Sequence, residues 1–257
     1  TRRAFLSHTG LAAAACCSSC VSTGRSARPP NIVVIFLDDS GFSDFHPFGS
    51  PAYDTPNVRR LAAEGCRFTN FHVPQAICSA SRGALLTGCY PERTRLFGAH
   101  GPRARGMDPS WPTIAQVLKP AGYTSAVFGK WHIGDQPETR PLARGFDECC
   151  GLMYSNDMWR HHPESRHYDA FPLQYWENDR VTIPDVTPAD QTHLTQWYTQ
   201  HAVDFIRRKR DQPFFLYVPH NMPHVPLFVS PAFAGRSGAG LYGDVMLELD
   251  SSVGEIM

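Results

Sequence analysis

Three apolar runs in this sequence end in ionisable residues. Asn31–Leu37 stops at Asp38-Asp39-Ser40-Gly41, Tyr123–Phe128 runs into Gly129-Lys130-Trp131-His132, and Phe214–Val218 runs into Pro219-His220-Asn221-Met222-Pro223-His224. A carboxylate pair is the oxygen-rich start of a site for a hard cation such as calcium or magnesium, although adjacent Asp residues after a strand also serve as turn formers and helix caps. Zinc fits less well, because no close-spaced Cys/His quartet is present. On the cation reading, Asp38→Asn should weaken cation binding far more than the fold, since it relieves repulsion between carboxylates when no metal is bound. A fourth segment, Cys78-Ser79-Ala80-Ser81-Arg82-Gly83-Ala84-Leu85-Leu86-Thr87-Gly88, opens on small polar residues suited to a helix start and closes on a stop glycine. Cys78 then lies at a helix N-terminus, where the peptide dipole favours negative charge, and the spacing of four brings Arg82 to its face, which would make a compact anion pocket. Such a cysteine reads either as a low-pKa nucleophile or as a buried structural thiol.

These residues need elements to carry them. Asn31–Leu37 is a continuous β-branched and apolar run, the pattern of a strand buried on both faces of a parallel sheet. Helical patterns lie between the strands: Val58–Glu64 closed by Gly65, Thr113–Lys119 closed by Gly122, and Gln191–Arg208 with Leu194, Trp197, Tyr198, His201 and Phe205 on one stripe. The alternation predicts an α/β fold with a mainly parallel central sheet flanked by helices. In open sheets of that kind ligands sit outside the carboxyl ends of the strands, where Asp38, Asp39, Lys130, His132, His220 and His224 would gather.

Composition bounds the alternatives. With 42% hydrophobic residues and 24 Lys+Arg against 24 Asp+Glu, the 257-residue chain is neither a disordered polymer nor a nucleic-acid binder held by bulk charge. No apolar run approaches the roughly 18 residues of a transmembrane segment. Arg2-Arg3 ahead of Leu11–Ala15 is the layout of a twin-arginine export signal, so residues 1–28 read as a leader and the protein as exported, periplasmic or cell-surface. Cys16, Cys17 or Cys20 could then carry a lipid anchor. The five remaining cysteines are an odd number, which leaves at least one unpaired, and Cys149-Cys150 reads as packing.

Taken together, Cys78-Ser79-Ala80-Ser81-Arg82 and Leu86-Thr87-Gly88 resemble the signature of the type I sulfatases, a branch of the alkaline phosphatase superfamily. The resemblance extends through Asp38–Gly41, Asp54-Thr55-Pro56-Asn57, Leu61–Asn70, Gly129–His132, Gly145-Phe146-Asp147, Tyr154-Ser155-Asn156-Asp157 and Pro223-His224-Val225-Pro226. Tyr154–Trp159 looks most like the arylsulfatase A and galactosamine-6-sulfatase branch.

The resemblance implies a sulfuric ester hydrolase. In such enzymes Cys78 would be oxidised to formylglycine by a maturating enzyme, and its hydrate would attack the sulfur of a sulfate monoester. Asp38, Asp39 and the modified Cys78 would be ligands of calcium, with magnesium as the variant. Arg82 and Lys130 would hold the modified side chain, His132 would sit beside its hydroxyls, and Ser155, Lys130 and His224 would contact substrate. Residues 29–257 would then be the N-terminal part of a catalytic domain, truncated after the helical pattern at Gly240–Val253 and inactive by itself. Two other readings stay open: a phosphonate or phosphodiester hydrolase of the same superfamily, and a non-catalytic protein that binds sulfated glycans.

Overall fold

β6 (Phe214–Pro219) is the element around which the rest is built. All six residues of this apolar run are buried. Successive side chains of a strand point to opposite faces. Phe214 meets Phe205 at 5.6 Å between ring centroids and Phe215 meets Phe146 at 5.9 Å, so both faces of the strand are covered. The computed structural model describes residues 28–49 and 51–257; the twin-arginine and lipid-anchor assignments fall on residues 1–27 and lie outside it.

The other strands are β1 (Ile32–Phe36), β2 (Thr124–Lys130), β3 (Glu148–Leu152), β4 (Tyr175–Glu177) and β5 (Arg180–Ile183), in the sheet order β1-β6-β2-β3-β4-β5. β1, β6, β2 and β3 run parallel, and β4 and β5 add an antiparallel hairpin turned by Asn178-Asp179. The predicted α/β class with a mainly parallel, helix-flanked sheet is what the chain adopts. One strand differs from its prediction. β1 lies at the sheet edge among the described residues, with Val33 41% exposed, because an unbroken β-branched run does not by itself say how many neighbours a strand has.

Helices cover the sheet. α1 (Pro56–Glu64), α2 (Cys78–Thr87), α3 (Pro91–Thr94), α4 (Ile114–Leu118), α5 (Pro188–Gln191), α6 (Leu194–Lys209) and α7 (Gly240–Ile256) follow the predicted patterns closely where those were made. The Gln191–Arg208 pattern divides into α5 and α6, since Thr187 caps a separate turn through Asp190. Leu194, Tyr198, Ala202 and Phe205 form the buried stripe by which α6 packs on β2, β6 and β3. Cys149 and Cys150 are buried in β3, and desolvation pushes the Cys149 thiol up to about 12, which suits packing and not reactivity. All five cysteines among the described residues are free. No helix there is long and apolar enough to cross a membrane.

Candidate active site

The carboxyl ends of β1, β6 and β2 are drawn together by backbone contacts. The Asp38 N–H donates to the Met222 carbonyl at 3.2 Å, tying the residue after β1 to the segment after β6. Gly129 adopts φ 142, and a Cβ there would lie 2.1 Å from the Pro219 carbonyl oxygen, so only glycine lets β2 approach β6 this closely. The next residue, Lys130, is thereby fixed at the sheet edge. α2 approaches with its N-terminal turn, and no side chain caps that end. Its Ala80 N–H is taken by the Gly98 carbonyl at 3.3 Å, which leaves the Cys78 and Ser79 N–H groups to face an anion.

Three charged groups meet in the interior. The Asp38 carboxylate takes a hydrogen bond from Lys130 Nζ and has Arg82 Nη2 at 3.3 Å. Arg82 and Lys130 are completely buried. Arg82 also donates to the Lys130 carbonyl at 2.6 Å and lies 5.4 Å from the centre of the Phe36 ring. Lys130 Nζ donates in addition to Ser155 Oγ at 2.8 Å. Burial alone would raise the Asp38 carboxyl, but the Arg82 and Lys130 charges hold it well below the usual carboxylate range. Two cations against one carboxylate leave a positive excess beneath the cavity floor.

Cys78, Asp38 and His224 present ligand atoms within 4.8 Å of one another. Desolvation would lower the His224 imidazole, yet the hydrogen bond with Cys78 and the Asp38 charge bring it above its ordinary value. Asp39 has φ 67 and a largely exposed carboxylate, 3.7 Å from His224 Nε2. Asp38, Asp39 and Cys78 border a cavity of about 150 Å³ lined by Phe36–Ser40, Val73, Ala76–Cys78 and Ser81. The donor set suits a hard cation as part of its shell: the adjacent Asp38 and Asp39 and residue 78 line one cavity. They are fewer than the six to eight oxygens calcium takes.

His132 has φ 56, a left-handed conformation that non-glycine residues adopt at some cost. Its Nε2 pairs with the His100 carbonyl at 2.8 Å, while Nδ1 is buried without a partner. Desolvation, then the Lys130 and Arg82 charges, hold the ring well below its ordinary pKa and therefore neutral at pH 7.

Asp38, Asp39, Cys78, Arg82, Lys130, His132, Ser155 and His224 thus come from five separate stretches of chain to one sheet edge. Two expectations change. Arg82 is engaged with Asp38 and the Lys130 carbonyl instead of lining an open anion pocket beside Cys78. His220 does not join the site: it turns behind β6, where its Nε2 meets Ser252 Oγ at 3.1 Å. Sequence reasoning also passed over His100, a loop histidine among Gly, Pro and Arg with no periodic or motif signal.

Comparison with known proteins agrees with this fold. The sulfatase family model matches residues 30–257. Human N-acetylgalactosamine-6-sulfatase is 38% identical over 246 residues, covering 90% of this chain and 46% of that protein. Human arylsulfatase A is 39% identical over 245 residues, covering 90% and 48% respectively. The crystal structure of the PsFucS1 sulfatase from Pseudoalteromonas sp. superimposes with a TM-score of 0.80 at 28% identity, over 89% of this chain and 51% of that one. The chain spans about half the length of the curated relatives it matches. With a family match over almost every described residue, this chain belongs to the sulfatase family.

Proposed function

We propose that the intact protein hydrolyses sulfate monoesters, with Cys78 converted to formylglycine by a maturating enzyme and a divalent cation, calcium or magnesium, held by Asp38, Asp39 and residue 78. The observation that carries this reading is the convergence of Cys78, Asp38 and His224 within 4.8 Å at the uncapped start of α2, over the buried Arg82 and Lys130 charges. When bound, the cation would supply charge that polarises sulfate and lowers the pKa of a nearby hydroxyl. The modified residue 78 would supply the attacking oxygen.

The remaining work falls to side chains already in place. Lys130 Nζ and Ser155 Oγ, hydrogen-bonded to each other, would meet the sulfate oxygens, and the positive excess shared by Arg82 and Lys130 would stabilise charge that spreads over them as the ester bond breaks. Because these groups are fixed before substrate arrives, little reorganisation is required of them. His224, on the open side of Cys78, would face the leaving alcohol. His132, neutral and with Nδ1 free, would accept a proton from the hydrated side chain of residue 78.

The test is turnover of an aryl sulfate and of a phosphodiester by the intact protein from a host that modifies cysteine, beside mass spectrometry of the peptide spanning Ala76–Arg82. Sulfate ester turnover with residue 78 converted, abolished in Cys78→Ala, is the expected result. Faster phosphodiester turnover would assign the other hydrolase activity, and an unmodified Cys78 with no turnover would leave a binding protein.

A further inference from the structure

The two histidines that pair across the site are held by a residue of the cysteine segment itself. Ser79, the second residue of α2, is fully buried, and its Oγ accepts the His100 N–H at 3.0 Å. Beside it the Ala80 N–H donates to the Gly98 carbonyl at 3.3 Å, so the 98–100 strand of loop is stitched to the first turn of α2 by two bonds. The loop's far end is anchored where Met107 N–H donates to the Ile133 carbonyl at 2.8 Å. Between these anchors, the His100 carbonyl meets His132 Nε2 at 2.8 Å.

A carbonyl only accepts, so the nitrogen that faces it must carry the hydrogen. For a neutral imidazole this decides the tautomer: Nε2 bears the proton and Nδ1 keeps the lone pair. Nδ1 is buried and has no protein partner, which is the state of a nitrogen reserved for another group. We propose that Ser79 is a positioning residue, whose hydroxyl holds residue 100 so that its carbonyl locks His132 in the Nε2–H tautomer with Nδ1 as the proton acceptor.

This deepens the functional reading above and rests on it for the identity of the proton donor, a hydroxyl of the modified residue 78. A proton taken at Nδ1 produces a ring with two N–H groups, of which Nε2–H stays on the His100 carbonyl. The ring need not turn between its two charge states, and its orientation is the same before and after transfer. Without the Ser79 acceptor the His100 N–H would be left unpaired at the buried end of α2, and the loop would shift to find a partner. The His132 ring would then lose the bond that selects its tautomer.

The experiment reads side-chain nitrogen resonances of histidine in the ¹⁵N-labelled intact protein, with the His132 signals identified by their loss in His132→Asn. Wild type should show Nε2–H alone. Ser79→Ala should show a mixture with proton on Nδ1, and Ser79→Thr, which keeps the acceptor, should match wild type. Should the alanine variant fold poorly, Ser79→Gly removes the same oxygen and serves in its place. In parallel, kcat for an aryl sulfate should fall on the order of 10- to 100-fold in Ser79→Ala with KM little changed, counted per molecule of converted residue 78. A wild-type tautomer pattern in Ser79→Ala, or a mixture in Ser79→Thr equal to that of alanine, overturns the proposal. If wild type turns over no sulfate ester, the functional reading fails while the spectra still decide what Ser79 does.

Discussion

Two buried polar groups stand on either side of β6, and they are built on opposite terms. At the sheet edge, Asp38, Arg82 and Lys130 bring three full charges together with Ser155, place Asp38 on the wall of a cavity, and leave one positive charge in excess. Behind the strand, His220 meets Ser252 at 3.1 Å, Ser252 meets Thr199 at 2.6 Å, and Thr199 donates to the Thr195 carbonyl at 2.7 Å. Because the Thr199 hydrogen is committed to that carbonyl, Ser252 must donate to Thr199 and His220 Nε2–H to Ser252, one proton per link. The second chain is neutral and pointed inward, although its Thr195 and Thr199 end lines a cavity of about 320 Å³. Burial of ionisable residue types therefore does not mark a site; charge left uncompensated beside a cavity does.

The largest expected effect follows from the first group. Asp38→Asn leaves Lys130 and Arg82 buried with no anion between them. Removing the sole counter-charge of a buried pair typically costs about 3–5 kcal/mol. The relief of carboxylate repulsion that the sequence suggests for this substitution is absent from the structure, since Asp38 faces two cations in the interior and not a second carboxylate. Lys130→Met should cost less, because Asp38 keeps Arg82 at 3.3 Å. Urea unfolding of both variants in the presence of a chelator measures the difference. Equal losses would show that the excess charge is already neutralised by some other group.

Acid separates the two groups next. Burial lowers the His220 imidazole to about 4, below the ordinary 6.5, so the unfolded chain binds more protons through that window. Stability from a neutral His220 is complete above about pH 6.5 and is lost as pH falls toward 4, by at most about 3 kcal/mol. Asp38 also has a depressed pKa in the folded state, but its contribution is present above its ordinary 3.8 and fades only at lower pH. Since His132 is lowered as well, the informative quantity is the difference between wild type and His220→Gln. The variant's stability should fall less steeply between pH 6.5 and 4, and parallel curves would mean that His220 is reached by water.

How far these groups were legible in the sequence follows from the same contrast. The strand ends, the order of elements and the N-terminal place of Cys78 could be read, because apolar runs and a stop glycine at position 88 impose local geometry. The strand ends point to Asp38, Asp39, Lys130, His132 and His224 and the helix spacing to Arg82, whereas Ser155 is reached through the family resemblance alone. By the strand-end pattern alone His220 and His224 cannot be told apart, since four residues of irregular backbone decide which turns outward. β3 escaped because Glu148-Cys149-Cys150-Gly151-Leu152 lacks a β-branched run, and its strand state comes from pairing with β2. Ser79 and His100 owe their importance to a contact 21 residues apart in sequence, which no local pattern encodes.

The smallest expected effect sharpens the comparison by asking whether the inner chain reaches the site. Ser252→Ala removes the acceptor of His220 Nε2–H and the donor to Thr199, while Thr199 keeps its bond to the Thr195 carbonyl. One buried N–H is left unpaired and little volume is lost, so about 1–2 kcal/mol should disappear from the unfolding free energy. The urea midpoint should drop with no change in the dependence on denaturant, as fits a local loss within a two-state fold. Turnover is a separate readout. Ser252 lies on α7 behind β6, whereas Ser79 touches the loop that holds His132, so kcat and KM for the proposed turnover by the intact protein should be unchanged in Ser252→Ala although both variants lose one buried serine hydroxyl. A fall in kcat comparable to that of Ser79→Ala would mean that His220 transmits its orientation through Asn221 and Met222 to Asp38, whose N–H rests on the Met222 carbonyl, and the two polar groups would then act as one.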